Sequence, residues 1–318
     1  FYLCTGTSPR SRRDKQLIRH GADFAEISAE CEGVYGNIEI SAKILENSRE
    51  VKINGNKITR NADILGNIYS VFFSPHELRL IQDGPDKRRR FLNISISQLS
   101  KPYYVALSRY NKILEQRNNL LKNRDMSLVY ETLPVWDEQL CKYAAVVAAK
   151  RTEFAAMLAP LAMEIHSYLT DGAEVLEISP EKKYKGDEKE LSEKLFAELS
   201  ANYERDIRLG FTASGPHRDD LDIVIDGADA KNFASQGQMR TAALSVKLAE
   251  VEIFKKMSGE YPVLILDDVM SELDLPRRKK LVARTVGLQT ILTCTHAERV
   301  LYGKEVHKIR IEGGKVKK

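Results

Sequence analysis

Two adjacent carboxylates follow a short apolar run late in the chain. Residues 263–266 are Val-Leu-Ile-Leu, and Asp267 and Asp268 come directly after them. Four consecutive apolar residues are typical of a strand buried on both faces of a parallel sheet, and such sheets bind ligands at the carboxyl ends of their strands. One aspartate there could hold Mg²⁺, and the other could orient a water molecule for attack on a phosphate. Acidic residues also end ordinary core strands, so this pair alone leaves a structural role open.

A polar Ser-Gln-Gly-Gln segment precedes a helical pattern that begins near Met239. Ser235 and Gln238 have the spacing of a capping box, which by itself indicates only a well-formed helix start. A glycine at that position, Gly237, also exposes backbone N–H groups and the positive end of the helix dipole, where an anion such as a phosphate can bind. Both interpretations stay open for this segment alone.

Two further polar segments lie close to the acidic pair. Ser271-Glu-Leu-Asp274 follows it and stands before Pro276, which is typical of a helix cap. Thr293-Cys-Thr-His296 closes the next predicted strand. A single histidine in such a place is more often structural than functional, so His296 alone does not identify a site.

The elements that must position these residues alternate between strand and helix. The patterns predict strands at residues 221–225, 263–266 and 290–294, and helices at 239–256 and 277–286. Such alternation implies a parallel sheet. The acidic pair would then lie at the edge of the sheet where other strands also end.

Earlier segments follow other periods. Period-two alternation predicts strands at 22–31 and 34–44, and Asn54-Gly55 between two alternating runs predicts a hairpin, so the N-terminal sheet should be antiparallel. From Ile96 an apolar stripe predicts a long amphipathic helix. Two more helices are expected at 137–169, where Pro160 should kink or divide the helix, and at 188–205. We therefore expect a helical lobe (96–206) inserted into an α/β lobe (1–95 and 207–318).

Composition excludes several classes of protein. The 318 residues are 43% hydrophobic and 30% charged, as in a globular protein. A net charge of +4 gives no global basic field, so any nucleic-acid contact must come from local patches. The four cysteines match no zinc spacing and indicate free thiols in a reducing compartment, the cytoplasm. No apolar run is long enough to span a bilayer, so no membrane partner is expected.

In order and spacing, the polar segments resemble the signature loop, Walker B strand, D-loop and switch of ATP-binding-cassette head ATPases. Longer strings narrow the resemblance to the RecF family of recombination mediators over essentially the whole chain. These strings are Ser214-Gly-Pro-His217-Arg218-Asp219-Asp220-Leu221, Phe73-Ser-Pro75, Arg88-Arg-Arg-Phe91-Leu and Ser11-Arg-Arg-Asp14. The resemblance implies an α/β fold: an ABC-type ATPase head with a parallel sheet core, an antiparallel N-terminal sheet and an inserted helical lobe.

The resemblance also implies roles for single residues. Asp267 would bind Mg²⁺ through water, Asp268 would polarise the attacking water, and His296 would sense the γ-phosphate. ATP would be held between two copies of the chain, as a homodimer that forms on ATP binding and separates after hydrolysis. The residues that would contact the nucleotide from the opposite copy, or lie at that contact, are Ser235, Gln236, Gly237, Gln238 and Asp274.

The family binds single-stranded and gapped DNA and works with RecO and RecR to help load RecA, in replication-linked repair and the SOS response. The resemblance therefore makes local basic residues candidate phosphate contacts, although a surface arginine run can also be merely solvated or can support an internal ion pair. The candidates are Arg10, Arg12, Arg13, Lys15, Lys87, Arg88, Arg89 and Arg90.

One family motif does not occur in the sequence. There is no G-x-x-x-x-G-K-[ST], the P-loop that cradles phosphates. Because the family places it just upstream of the segment that resembles Phe1 to Asp14, we expect the first strand and the P-loop to precede Phe1, and we expect this chain alone to bind ATP poorly. Whether the protein is an enzyme, a slow ATPase, therefore stays open.

The alternatives are another head ATPase, such as a chromosome-organising or DNA-break protein, and a non-hydrolysing DNA or protein scaffold without a P-loop. Helical arms shorter than those of chromosome-organising proteins argue against the first. The coding sequence upstream of Phe1 would separate the second from an ATPase.

Overall fold

A computed structural model of the chain describes residues 1–11, 13–33, 36–123, 125–182, 184–295 and 306–317. The strands are β1 Phe24–Gly33, β2 Gly36–Leu45, β3 Arg49–Ile53, β4 Asn56–Lys57, β5 Ser70–Phe73, β6 Leu176–Pro180, β7 Leu221–Ile225, β8 Ala228–Asp229, β9 Val263–Asp267, β10 Thr290–Thr293, β11 Arg310–Glu312 and β12 Lys315–Lys317. The α-helices are α1 Tyr2–Thr5, α2 Arg79–Gln82, α3 Pro85–Leu99, α4 Lys101–Leu120, α5 Met126–Thr170, α6 Glu188–Ala201, α7 Tyr203–Leu209, α8 Ala230–Phe233, α9 Gln236–Ser258 and α10 Leu275–Arg284.

The N-terminal sheet is antiparallel, as predicted, with β1 to β4 in sequential order. Asn54 and Gly55 link β3 to β4 with φ angles of 48° and 77°, the left-handed pair that a tight hairpin turn needs. Alternation along β2 buries Ile40 and Ile44 against Tyr2 of α1. This face therefore packs on its own small core beside the main one.

The second sheet is parallel and carries the acidic pair. β9 lies between β5 and β10, with Leu266 beside Phe73 and Asp267 beside Thr293. Leu264 and Leu266 are each 1% exposed, whereas Val263 and Ile265 are half-buried, so the predicted strand is present but only one of its faces is fully buried. Since all these strands run in one direction, residues that follow β5, β9 and β10 meet at a single edge.

The long helix α5 corrects one prediction. It continues from Met126 to Thr170 with Pro134 and Pro160 inside it, so Pro160 does not divide it. A proline costs a helix one hydrogen bond and a steric clash. Here Leu158 and Ala162, on either side of Pro160, are fully buried, and the packing of α5 on α6 and α9 offsets that cost.

Two other predicted boundaries differ from the structure. The helix expected at 188–205 is two helices, α6 and α7, which meet at Asn202. The lobe boundary predicted between residues 95 and 96 falls inside α3, which runs without a break to Leu99. The helices and the parallel sheet share one continuous apolar core, so the division into lobes stays a prediction.

Buried charges join three helices to one loop. The guanidinium of Arg117 on α4 donates to Asp137 on α5, to Asp206 on α7 at 2.7 Å and to the Thr212 hydroxyl at 2.8 Å. Arg117, Asp137 and Asp206 are each 0% exposed.

Within the described residues, no helix is both long and apolar enough to cross a bilayer.

This network predicts a large stability effect. Arg117→Met should lower the free energy of unfolding by about 3–5 kcal/mol, because it leaves two buried carboxylates without their cation. Urea unfolding measures the change. Arg205→Met on α7, an exposed arginine, is the matched control and should change stability by less than about 0.5 kcal/mol. Equal losses for the two variants would show that the network contributes nothing.

Candidate functional site at the parallel sheet edge

Asp267 ends β9 with both carboxylate oxygens engaged. The Thr293 hydroxyl, at the end of β10, donates to Oδ1 at 2.8 Å. The guanidinium of Arg10 forms an ion pair with Oδ2. The Asp267 side chain is 16% exposed, whereas that of Arg10 is 71% exposed. The carboxylate is thus fixed by the sheet on one side and reached by a solvent-exposed cation on the other.

The electrostatic environment keeps Asp267 ionised. Burial acts to raise the pKa of this carboxyl, but the hydrogen bonds from Arg10 and Thr293 outweigh burial, so the pKa lies below its usual range. An ionised carboxylate at the end of a parallel strand is a ligand of the kind that Mg²⁺ prefers.

Asp268 is held by its backbone rather than its side chain. Its φ of 55° places it in the left-handed region, which a non-glycine residue adopts at some cost. Its N–H donates to the Thr293 carbonyl at 3.2 Å and approaches the Thr293 hydroxyl at 3.1 Å, and its carbonyl accepts from Ser271 at 2.8 Å. Its side chain is exposed and has no hydrogen-bond partner in the described part of the chain. The backbone therefore presents a free carboxylate to solvent beside Asp267.

The Ser-Gln-Gly-Gln segment forms the capping box that its spacing predicts. Ser235 Oγ accepts from the Gln238 N–H at 3.2 Å, and Gln238 Oε1 accepts from the Ser235 N–H at 2.9 Å. Ser235, Gln236 and Gly237 are exposed, and the N–H groups of Gln236 and Gly237, unlike that of Gln238, have no acceptor among the described residues. The segment can therefore accept an anion from outside the chain, while the structure itself requires only the cap.

The start of α9 is tied to the segment after the acidic pair. Arg240 forms an ion pair with Glu272 at 2.7 Å and also donates to the Glu272 carbonyl at 3.3 Å. Asp274 caps α10 by accepting from the Arg277 N–H at 2.9 Å, and this backbone hydrogen bond lowers the pKa of Asp274. Asp274 is therefore engaged by its own helix but remains exposed. Two predicted residues, His296 and Arg12, lie outside the described residues.

The basic candidates separate into different environments. Arg10 lies at the sheet edge that carries Asp267 and Asp268, which we call the acidic edge, and not on a separate patch. Arg88 is 6% exposed and makes a bidentate pair with Asp220 at 2.6 and 2.7 Å, so it departs from the phosphate-contact prediction and supports an internal ion pair instead. Arg89 is half-buried and donates to the Asp219 carbonyl. The remaining candidates are exposed: Arg13, Lys15, Lys87 and Arg90.

The loop that carries the Ser-Gly-Pro-His-Arg-Asp-Asp string packs against the helices. Gly215 has a φ of 122°, and a Cβ there would lie 3.1 Å from the Tyr110 hydroxyl, so only glycine fits. Tyr110 and His217 Nδ1 are 2.6 Å apart, and His217 Nε2 lies 3.0 Å from the Thr212 carbonyl. Since a carbonyl only accepts, Nε2 carries the proton and Nδ1 accepts from Tyr110. Burial lowers the pKa of His217 to about 4, consistent with this neutral form.

Two contributions could not be read from the sequence. Thr293 begins the segment Thr293-Cys-Thr-His296, but the contact of its hydroxyl with Asp267 depends on the pairing of β10 with β9. The position of Arg10 depends on a contact between residues 257 positions apart in sequence.

No group of three His, Cys, Asp or Glu side chains that could hold a metal by themselves is found among the described residues. All four cysteines are unpaired.

Comparisons with known proteins place this geometry in a family. No family model matches the chain. The DNA replication and repair protein RecF of Ruminiclostridium cellulolyticum is 39% identical, over 99% of this chain and 88% of the relative. RecF of Alkaliphilus oremlandii is 40% identical, over 94% of this chain and 83% of the relative.

Solved structures agree with these relatives. A structure of the recombination mediator protein RecF with ATPrS, in the RecFOR pathway, superposes with a TM-score of 0.89 at 32% identity and covers 99% of this chain and 85% of that one. A RecF–ATP structure gives a TM-score of 0.87 at the same identity. The fold is therefore that of an ABC-type ATPase head, as the mixed parallel and antiparallel sheets indicate. The chain belongs to the RecF family of DNA replication and repair proteins.

The neutral His217 predicts a pH dependence of stability. Unfolded histidine has a pKa of about 6.5, so between about pH 6.5 and pH 4 the unfolded chain binds a proton at this position that the folded chain does not, and stability falls as the pH drops. Urea unfolding at pH 7 and pH 5 should show a smaller acid-induced loss for His217→Gln than for the unsubstituted chain. His20→Gln, at an exposed histidine, is the control. An acid-induced loss unchanged by His217→Gln would refute a buried neutral imidazole.

Proposed function

We propose that this chain is an ATP-binding, DNA-binding mediator of replication-linked recombinational repair that acts in the cytoplasm. The observation that carries the proposal is the acidic edge, where Asp267 is ionised and oriented by Thr293 beside the exposed carboxylate of Asp268. It is supported by membership of the RecF family and by the solved RecF structures with ATP and with ATPrS.

The residues at the edge fit a nucleotide accompanied by Mg²⁺. Mg²⁺ is commonly held by one or two carboxylates, several waters and substrate phosphates, and Asp267 offers such a carboxylate. When bound, Mg²⁺ would neutralise charge on the phosphates. Asp268, with its side chain free, would orient a water molecule for attack, which makes the protein a slow ATPase. Asp267 would hold this Mg²⁺ through water while Arg10 and Thr293 fix the orientation of the carboxylate.

Dimerisation is proposed from the exposed start of α9. Ser235 and Gly237 would contact the γ-phosphate held by a second copy, with Gln236 and Gln238 beside them. Asp274 would lie at the contact between copies. The ion pair of Arg240 with Glu272 supports this arrangement, since it joins the α9 start to the segment that follows the acidic pair. ATP would then stabilise the dimer and hydrolysis would release it.

DNA and protein partners complete the proposal. The exposed residues Arg13, Lys15, Lys87 and Arg90 would contact phosphates of single-stranded or gapped DNA, and Arg89 would add to them from a half-buried position. RecO and RecR would be the protein partners, with RecA loaded as the outcome, during the SOS response. Such contacts would make DNA affinity fall as salt rises.

An Asp268→Asn substitution tests the hydrolytic role in the protein expressed from its complete gene. The amide keeps the shape but not the charge, so ATP should still bind, hydrolysis should slow by about a hundredfold or more, and ATP-bound dimers should accumulate. Light scattering at saturating ATP and phosphate release are the measurements. Asp222→Asn, an exposed aspartate on β7, is the matched control. A variant that binds ATP but stays monomeric would contradict the proposal that ATP is held between two copies of the chain. A wild-type protein that does not bind ATP would favour the alternative of a non-hydrolysing scaffold.

A Ser235→Arg substitution tests whether α9 acts on a nucleotide held by another copy. The bulky cation should block dimerisation while one subunit still binds ATP with unchanged affinity. Labelled-ATP binding and sedimentation are measured together. Ser167→Arg, at an exposed position on α5, controls for the added charge. If ATP affinity and dimerisation are lost equally, the serine does not act across a dimer.

A further inference from the structure

A separate cleft lies between the N-terminal segment 5–11 and helices α3 and α4. Its volume is about 570 Å³, in the range of pockets that hold small ligands. Its lining combines hydroxyl groups from segment 5–11, arginines from α3 and α5, and apolar side chains such as Leu107. The polar and aromatic side chains that could contact a ligand include Ser11, Arg89, Arg90, Asn93, Tyr104 and Arg151.

Arg151 is a buried cation whose hydrogen-bond acceptors, within the described residues, are all neutral. It is 7% exposed, and Nη1 donates to the Pro216 carbonyl at 2.6 Å. Nη2 donates to Asn93 Oδ1 at 2.9 Å, and Nε donates to the same atom at 3.2 Å and to the Tyr103 hydroxyl at 3.3 Å. None of these acceptors carries a negative charge.

The other arginines that the structure describes as buried are neutralised. Arg117 pairs with two carboxylates, and Arg88 pairs with Asp220 in a bidentate arrangement. The carboxylate of Asp219 accepts from the Tyr184 hydroxyl at 2.8 Å, and Arg151 acts on it only as a nearby charge that opposes the effect of burial on the Asp219 pKa. Arg151 therefore has no hydrogen-bonded carboxylate among the described residues, and a buried cation held by neutral acceptors can attract an anion from outside the chain.

Other groups at the cleft favour an anion. Arg90 is exposed and has no carboxylate partner in the described part of the chain. Arg89 pairs with Asp86, the acidic residue of the lining, and so the arginines outnumber the carboxylates. Ser11 supplies a hydroxyl group, and the half-buried ring of Tyr104 offers a surface for a base to stack on.

We propose that this cleft binds one nucleotide of a single DNA strand, with its phosphate near Arg90 and Arg151 and its base against Tyr104. The proposal rests on the proposed DNA-binding function and assigns it a place. The cleft adjoins the cavity that contains Arg10, since Ser11 and Arg90 line both, but Arg89, Arg90 and Arg151 belong to α3 and α5 rather than to the parallel sheet.

The test is fluorescence anisotropy of a labelled oligo-dT strand on the protein expressed from its complete gene. Arg90→Gln should weaken binding by about tenfold, the size of one charge-assisted hydrogen bond. It should also reduce the slope of log affinity against log salt by about 0.7, one phosphate contact on a single strand. Arg205→Gln, at an exposed arginine on α7, should change neither quantity.

The possible outcomes distinguish failure of the cleft as a DNA site from failure of the proposed DNA-binding function. Strong oligo-dT binding by the unsubstituted protein, with Arg90→Gln behaving as Arg205→Gln does, would overturn the cleft while leaving DNA binding intact. No oligo-dT binding by the unsubstituted protein would overturn the proposed function itself. Binding of dTMP that Arg90→Gln weakens, together with unaffected oligo-dT binding, would assign the cleft to a free nucleotide and overturn the DNA proposal.

Arg151 gives an independent readout. Arg151→Met should weaken oligo-dT binding, yet it should cost clearly less stability than Arg117→Met, because no carboxylate in the described part of the chain is hydrogen-bonded to Arg151, whereas two are hydrogen-bonded to Arg117. Arg151→Lys should restore part of the DNA affinity by keeping the charge. Equal destabilisation by the two methionine variants, with DNA affinity unchanged in Arg151→Met, would show that Arg151 is only structural.

Discussion

The bidentate pair of Arg88 with Asp220 joins two distant parts of the chain, and much of the architecture depends on it. Asp220 ends the loop that begins near Thr212, and β7 starts at the next residue. The same loop receives hydrogen bonds from Arg117 on α4 and Arg151 on α5. One loop is thereby held by three helices, each through a guanidinium, and its backbone must stay narrow at Gly215 for Tyr110 to reach His217. The Ser-Gly-Pro-His-Arg-Asp-Asp string is thus explained by packing, without any direct contact with the acidic edge.

At the acidic edge, the constraint is strand order. β9 lies between β5 and β10, so Asp267 receives a hydroxyl from one neighbour while its other oxygen faces the open side. Arg10 fills that side. Under the proposed function, Mg²⁺ would be held at a carboxylate whose orientation Arg10 and Thr293 already fix. The segment that contains Arg10 continues into Ser11, which lines the cleft proposed to bind DNA.

Sequence patterns correctly predicted the features that depend only on residues close to one another in the chain. The apolar run before Asp267, the capping box of Ser235 and the Asn54-Gly55 turn were all predicted and are all present. Pro160 does not divide α5, because the cost of a proline is local, whereas the packing of α5 on α6 and α9 is tertiary. The partners of Asp267 were beyond prediction for the same reason, since residues 10 and 293 meet it only through the fold. The roles of Asp268, Gly237 and the other nucleotide candidates remain predictions that the geometry permits.

The arginine run on α3 shows why residue type alone could not assign function. Successive residues of an α-helix point about 100° apart, so three consecutive arginines must face three different environments. Arg88 faces inward to Asp220, Arg89 lies half-buried beside Asp219, and Arg90 faces solvent at the cleft. Only a cation that is not already neutralised can gain from binding a phosphate, because an ion pair must first be broken in the other cases. Within the described residues, the run therefore supplies one arginine in a structural ion pair, one that is partly engaged, and Arg90, which has no carboxylate partner and lies on the same cleft as Arg151.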